Sequence, residues 1–241
     1  MYGASRNLVR HPRCHGVRRE RALSGATAAV RLPITASVLR AIRPFCLPSP
    51  PDHNSRLLWA AATACYFGFF RAGELTVPSE SAFNTAVHLA WGDVAISENG
   101  PRTIRIFLKR SKTDQFGRGV NVFLGATGDA ICPVSAMIAY VTSRGDSPGP
   151  FFRTAEGLPL TKAYFVSRIR AALTRAGFRE TDYSGHSFRI GAATAAAQAG
   201  VPDSVIQSLG RWSSPAFLRY IRTPREQLAQ FSRTIAGNRP S

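Results

Sequence analysis

Between Arg56 and Arg71 the chain runs for fourteen residues, Leu57 to Phe70, without a charged side chain. A helix built on that run is apolar on every side, so it must be enclosed by other elements. It is also too short to cross a bilayer, which takes about 20 apolar residues. The run therefore predicts a central buried helix, and the rest of the fold must be arranged around it. Asp52 or Asn54 is placed to cap it, and the apolar pattern carries it to about Phe70.

The flanking segments supply the enclosing elements. Thr35 or Ser37 caps a short helix through Phe45, which Pro44 and the Pro48-Ser49-Pro50-Pro51 cluster end. Val87 to Ala90 and Val94 to Ile96 are strand candidates, with Asn99-Gly100 as a turn. Thr103 to Leu108 alternates in part between apolar and polar, and Val120 to Leu124 can pair with it. The connection between them, Ser111 to Gly117, is longer than a tight two-residue hairpin turn. Pro133 fits the first turn of a helix reaching about Ser143, and Arg144 to Gly157 reads as a loop. Thr161 caps a helix to Ala176 with Phe165, Ile169 and Leu173 on one face, and Gly177 ends it. Ser187 to Ala199 forms a further helix closed by Gly200. Pro202 opens a short one with Val205, Ile206 and Leu209 inward and Gly210 as its stop. Arg219 to Ile221 lies in or beside another helix, and Pro224 starts a last one. The expected fold class is mostly α with a small antiparallel β-sheet.

Charge narrows the function. Lys+Arg 31 against Asp+Glu 14 gives a net charge of +17 in 241 residues. Arginine carries nearly all of it, since the only lysines are Lys109, Lys112 and Lys162. Guanidinium groups stay charged and match phosphate oxygens bidentately. A basic globular chain of this kind is expected to meet nucleic acid rather than a membrane. Residues 1–31 hold seven arginines and one acid, Glu20, and lack apolar periodicity. They read as a basic flexible arm or the remnant of a truncated N-terminal DNA-binding domain, with residues 32–241 as the main domain. A mitochondrial transit peptide has a similar composition; the basic character of the rest of the chain favours the arm. Cys14, Cys46, Cys65 and Cys132 are scattered with no Cys-x-x-Cys, which argues against a zinc site or a disulfide framework. His11, Cys14 and His15 are a weak metal signal, and no cofactor is expected.

A set of residues suited to phosphodiester chemistry is spread along the domain. Arg71 follows the apolar run, and Glu74 at i+3 can orient its guanidinium. Lys112 sits in the long hairpin connection, with Lys109 a weaker candidate nearer the strand. His186 and Arg189 stand three apart near a helix N-terminus, where backbone donors also suit a phosphate. Arg211 and Trp212 lead to Tyr220. Taken singly, each has a plain structural reading: an ion pair, a turn lysine, a capping histidine, a core tyrosine. Together they offer cations to hold a phosphodiester and a hydroxyl to attack it.

In order along the chain these motifs resemble the catalytic domain of tyrosine recombinases, the phage-integrase-like DNA breaking–rejoining enzymes, and most of all their eukaryotic transposon-borne branch. The resemblance covers roughly Leu32 to the end. It rests on Phe69-Phe70-Arg71-Ala72-Gly73-Glu74-Leu75, Arg110-Ser111-Lys112-Thr113-Asp114, Gly185-His186-Ser187-Phe188-Arg189, and Leu209-Gly210-Arg211-Trp212-Ser213-Ser214 with Tyr220. It implies site-specific recombination or integration through a covalent 3′-phosphotyrosine, without a metal. Arg71, His186 and Arg189 would hold the scissile phosphate, Tyr220 would attack it, and Lys112 would protonate the leaving 5′-oxygen. His186 would also assist as a base on Tyr220. The implied partner is double-stranded DNA, the implied assembly a homotetramer on it, and the implied location the nucleus.

Two departures from the family pattern stand out. The family usually has His or Trp nine residues before the tyrosine; here Arg211 holds that place and Trp212 is one residue later. Either residue could fill the role, and Trp212 is favoured because an indole can both pack on the tyrosine and donate one N–H. The family also usually has an N-terminal helical domain that closes around DNA, and residues 1–31 are too short for one. The expectation is a truncated copy of a mobile-element protein. Two alternatives follow: a decayed or domesticated DNA-binding module, and a type IB topoisomerase-like activity. A basic ribosome-associated protein is a third, which the motif order disfavours.

Overall fold

The computed structural model describes residues 31–97, 102–110, 118–215 and 218. The uncharged run forms helix α2 (His53–Phe67), and every residue from Leu57 to Tyr66 is buried. Asp52 caps it, its carboxylate accepting from the Ser55 amide at 2.6 Å. That bond, with a second from the Ser55 hydroxyl, holds the Asp52 carboxyl below its usual range. Around α2 pack α1 (Ala36–Cys46), α3 (Ala72–Leu75), α4 (Pro133–Arg144) and α6 (Ser187–Gln198). Helix α5 (Lys162–Arg175) lies on α1, and α7 (Asp203–Gly210) on α6. The anticipated caps are present: the Thr35 hydroxyl accepts from the Val38 amide at 3.3 Å and the Thr161 hydroxyl from the Tyr164 amide at 3.2 Å.

Strands β1 (Val94–Ser97), β2 (Thr103–Leu108) and β3 (Val120–Gly125) form one antiparallel sheet in that order. Val94 pairs with Ile106, and Leu108 with Val120. Ile104, Ile106, Leu108 and Leu124 turn inward, and β3 packs on α4. The mostly helical fold with a small antiparallel sheet is thus the one the sequence implies.

Four local expectations need correcting. Helix α2 stops at Phe67 rather than near Phe70, because Gly68 caps it and Phe69 takes a left-handed φ of 52°. The Phe70 amide then folds back onto Cys65 O at 3.0 Å, so an apolar pattern continues through a turn that hydrogen bonding has closed. Pro44 lies inside the last turn of α1 and does not end it. Val87 to Ala90 is not a strand; Leu89 and Trp91 instead bond Phe151 and Gly149 across a two-residue pairing. Of the three α7 residues expected inward only Ile206 is buried, while Val205 and Leu209 are about half exposed, since α6 covers a single face.

Not every arginine serves the surface. Arg144 is 5 % exposed and donates to the carbonyls of Gly145, Pro150 and Phe151, each at 2.9 Å. It also lies over the Trp91 ring at 4.2 Å. Its work is to hold the loop after α4, and burial moves its pKa down. No helix among the described residues is long and apolar enough to cross a membrane.

Candidate active site

The turn after α2 delivers Arg71 to the start of α3, so Arg71 is the N-cap of that helix rather than the end of α2. Its backbone amide donates to Glu74 Oε2 at 2.9 Å and its guanidinium to Glu74 Oε1 at 3.0 Å. One carboxylate therefore fixes both ends of Arg71. The Ala72 amide reaches Gly185 O at 3.3 Å, tying this turn to the loop that presents His186. His186 is exposed at the N-cap of α6, and Ser184 and Ser187 organise the loop before it, with the Ser184 amide 2.9 Å from Ser187 Oγ.

Arg71, Glu74 and His186 line a cleft of about 590 Å³. Arg110, Lys162 and His88 share its wall. Sequence reasoning did not single out the last two. Lys162 follows a capping threonine and carries no local signal beyond being one of three lysines.

Arg189 is not in the lining of this cleft. It is 2 % exposed, donates to Phe69 O at 2.8 Å and to Gly210 O, and lies over the Trp212 ring at 4.1 Å. Trp212 in turn meets Phe69 edge-on at 6.3 Å. Arg189 and Trp212 are thereby brought together. Arg211 takes another place: it caps α7 in the left-handed conformation, φ 56°. Its guanidinium donates to Gly68 O at 3.0 Å, Leu209 O at 3.2 Å, Phe69 O at 3.2 Å and Glu74 Oε2 at 3.1 Å. Burial lowers its pKa, and Glu74 works against that shift. Glu74 thus bridges Arg71 and Arg211, while Trp212 serves Arg189. The two residues competing for the family position near the tyrosine have separate partners.

Lys109, the weaker lysine candidate, bonds the Asp93 carboxylate and reaches His88 O at 3.3 Å. That pair occupies it at the edge of the sheet. Lys112 and Tyr220 lie outside the described residues, as do the Asn99-Gly100 turn, residues 1–30, and the helices expected at Arg219 to Ile221 and after Pro224. Among the described residues no group of three His, Cys, Asp or Glu side chains is gathered for a metal ion.

The bracing by Arg211 has a measurable consequence. Arg211→Met removes bonds to three carbonyls and to Glu74 but leaves Glu74 paired with Arg71. Denaturant unfolding should show a loss of about 1–2 kcal/mol. Arg211→Lys should recover only part of it, because an ammonium lacks the planar fork that spans four acceptors.

The fold is like that of tyrosine recombinase catalytic domains. The chain is 29 % identical over 167 residues to an integrase/recombinase xerD homolog of Selenomonas ruminantium, covering 65 % of this chain and 45 % of that one. Its fold is similar to that of XerA recombinase, with a TM-score of 0.62 and 17 % identity over 90 % of this chain and 67 % of that one. It is also similar to XerH site-specific recombinase in a post-cleavage complex with palindromic difH substrate. There the TM-score is 0.61, with 16 % identity over 83 % of this chain and 52 % of that one. No family model matches the chain. The chain spans about half the length of the xerD homolog.

Proposed function

We propose that this chain breaks and rejoins DNA strands through a tyrosyl phosphodiester. The observation that carries the reading is the cleft lined by both Arg71 and His186, with Arg71 fixed by Glu74. In the reaction, the Tyr220 oxygen attacks the phosphorus of one phosphodiester. The bond from phosphorus to the tyrosyl oxygen forms, and the bond to the 5′-oxygen breaks. The tyrosyl proton passes to His186 as base, and Lys112 gives a proton to the departing 5′-oxygen. The product is a 3′-phosphotyrosine and a free 5′-hydroxyl, and attack by a 5′-hydroxyl reverses each step. Guanidinium groups hold the charge that develops on the phosphoryl oxygens, so the step runs without a metal. The roles of Tyr220 and Lys112 rest on the resemblance of their motifs.

The partner is duplex DNA, and the acting form is a tetramer of this chain on it. Residues 32–241 form the catalytic domain, and the basic arm before them meets the DNA backbone. The proposal extends to a nuclear location and a mobile-element origin, which rest on the likeness of the motifs to the transposon-borne branch.

The test is covalent trapping. The protein is incubated with a pool of nicked duplexes of randomised sequence, in which the cleaved end diffuses away. A DNA–protein adduct resistant to denaturing electrophoresis is expected, absent in Tyr220→Phe. An adduct that persists in Tyr220→Phe, or none from the wild type, defeats the reading. One observation favours a second reading, a DNA-binding module that does not cut. Arg211, nine residues before Tyr220, is bonded to Glu74 and three carbonyls instead of lining the cleft. Salt-dependent duplex binding with no adduct would select it.

A further inference from the structure

The cleft is larger than one phosphate needs. At about 30 Å³ per water, 590 Å³ has room for roughly twenty water-sized groups, whereas a phosphate presents one phosphorus and four oxygens. Its charges are unbalanced. Arg71, Arg110 and Lys162 face one carboxylate, Glu74, and that carboxylate is already bonded to Arg71 and Arg211. No carboxylate among the described residues pairs with Lys162 or Arg110.

Lys162 is also held in place. Its backbone amide donates to Val77 O at 2.9 Å, and the Val77 amide donates to Leu160 O at 3.0 Å. Val77 follows α3, so the segment that carries Arg71 also anchors Lys162. On the other side, Lys162 Cε comes 4.0 Å from the point where a Cβ on Gly185 would stand, beside His186. A Cβ on Gly185 would press on Ala72 Cβ at 3.2 Å and touch this lysine at ordinary contact distance. The lysine stem is thus set between the two elements that present Arg71 and His186, and the residue is exposed.

We infer that Lys162 and Arg110 form a second phosphate subsite, which holds a backbone phosphate of duplex DNA next to the one held by Arg71 and His186. This inference rests on the strand-transfer reading for its ligand. Lys162 and Arg110 are positioning residues: they set the register of the strand and take no part in bond making.

The experiment is equilibrium binding of the full chain to a fluorescently labelled duplex across a series of potassium chloride concentrations. Each phosphate contact contributes about 0.9 to the slope of log affinity against log salt. Lys162→Gln should lower the slope by about 0.9, so the affinity lost on raising salt fourfold shrinks by about 3.5-fold. Lys162→Arg should keep the wild-type slope, and Lys162→Gln with Arg110→Gln should lower it by about twice as much. Arg40→Gln removes the same charge from an exposed pair with Asp129 that does not line the cleft, and should leave the slope nearly unchanged. A wild-type slope in Lys162→Gln, or an equal fall in Arg40→Gln, overturns the subsite while leaving strand transfer standing. A wild type that shows no salt-dependent duplex binding overturns both.

Discussion

Arg189→Ala is expected to lose about 3 kcal/mol or more of folding stability and to lower strand transfer by about 10²–10³-fold. The guanidinium is 2 % exposed and ties α6 to two segments remote in sequence: Phe69 through its carbonyl, and residues 210–212 through the Gly210 carbonyl and the Trp212 ring face. Truncation leaves the Gly210 carbonyl short of a donor and strips the Trp212 face of a desolvated cation, an interaction of about 2 kcal/mol. The cost is tempered because the buried charge disappears with its bonds. Phe69 O retains Arg211 at 3.2 Å, so the turn itself is not released entirely. Arg189→Lys is the informative companion. It keeps the charge but cannot reach both carbonyls and stack on the indole with one ammonium. Denaturant unfolding and adduct formation, measured on both variants, separate bracing from charge. Full stability in Arg189→Ala would contradict the bracing role.

Gly191→Ala should be as damaging for a different reason. A Cβ at Gly191 would stand 1.8 Å from Ile34 O and 2.6 Å from Ile34 C. Those are backbone atoms, so no rotamer change relieves the clash. The Ile34 segment must leave α6, breaking the Ile34 amide bond to Ser187 O at 2.9 Å and pulling a fully buried side chain from the core. Overpacking commonly costs about 1–3 kcal/mol, and the lost hydrogen bond and burial add to it. A fall of about 3 kcal/mol or more is therefore expected from urea unfolding. Gly73→Ala is the contrast: a Cβ there meets nothing within 4 Å, and the residue is helical. Its unfolding midpoint should hold or rise slightly, since the unfolded chain loses freedom. Equal losses at the two positions would mean that close approach at Gly191 does not govern the cost.

Much of the fold was legible because it is written in local chemistry. Thr35, Asp52 and Thr161 announce their helices through side-chain oxygens that satisfy first-turn amides, a relation that spans three residues. The alternation in Thr103 to Leu108 survives because one face of β2 is buried. Errors arose where a neighbour in space overrode the pattern. Apolar residues continue to Phe70, yet Gly68 and the left-handed Phe69 turn the chain. Val205 and Leu209 share the apolar character of Ile206 but lie outside the strip that α6 covers. Lys109 reads as a weaker candidate near the strand until Asp93 is brought beside it.

The sequence by itself determined the buried central helix, the class of fold, and the order of the chemical motifs, including Arg71, His186 and Arg189. These follow from periodicity, capping and spacing, which act over a few residues. Only the tertiary structure decided what the cations do. Arg189 finds Phe69 across 120 positions and Arg211 finds it across 142, so neither bond leaves a local trace. The same holds for Lys162, whose place in the cleft is set by Val77 and Gly185. A guanidinium or ammonium is directed by whichever oxygens the folded backbone leaves within reach. That selection belongs to packing, and it separates the cations that brace the site from those that face the cleft.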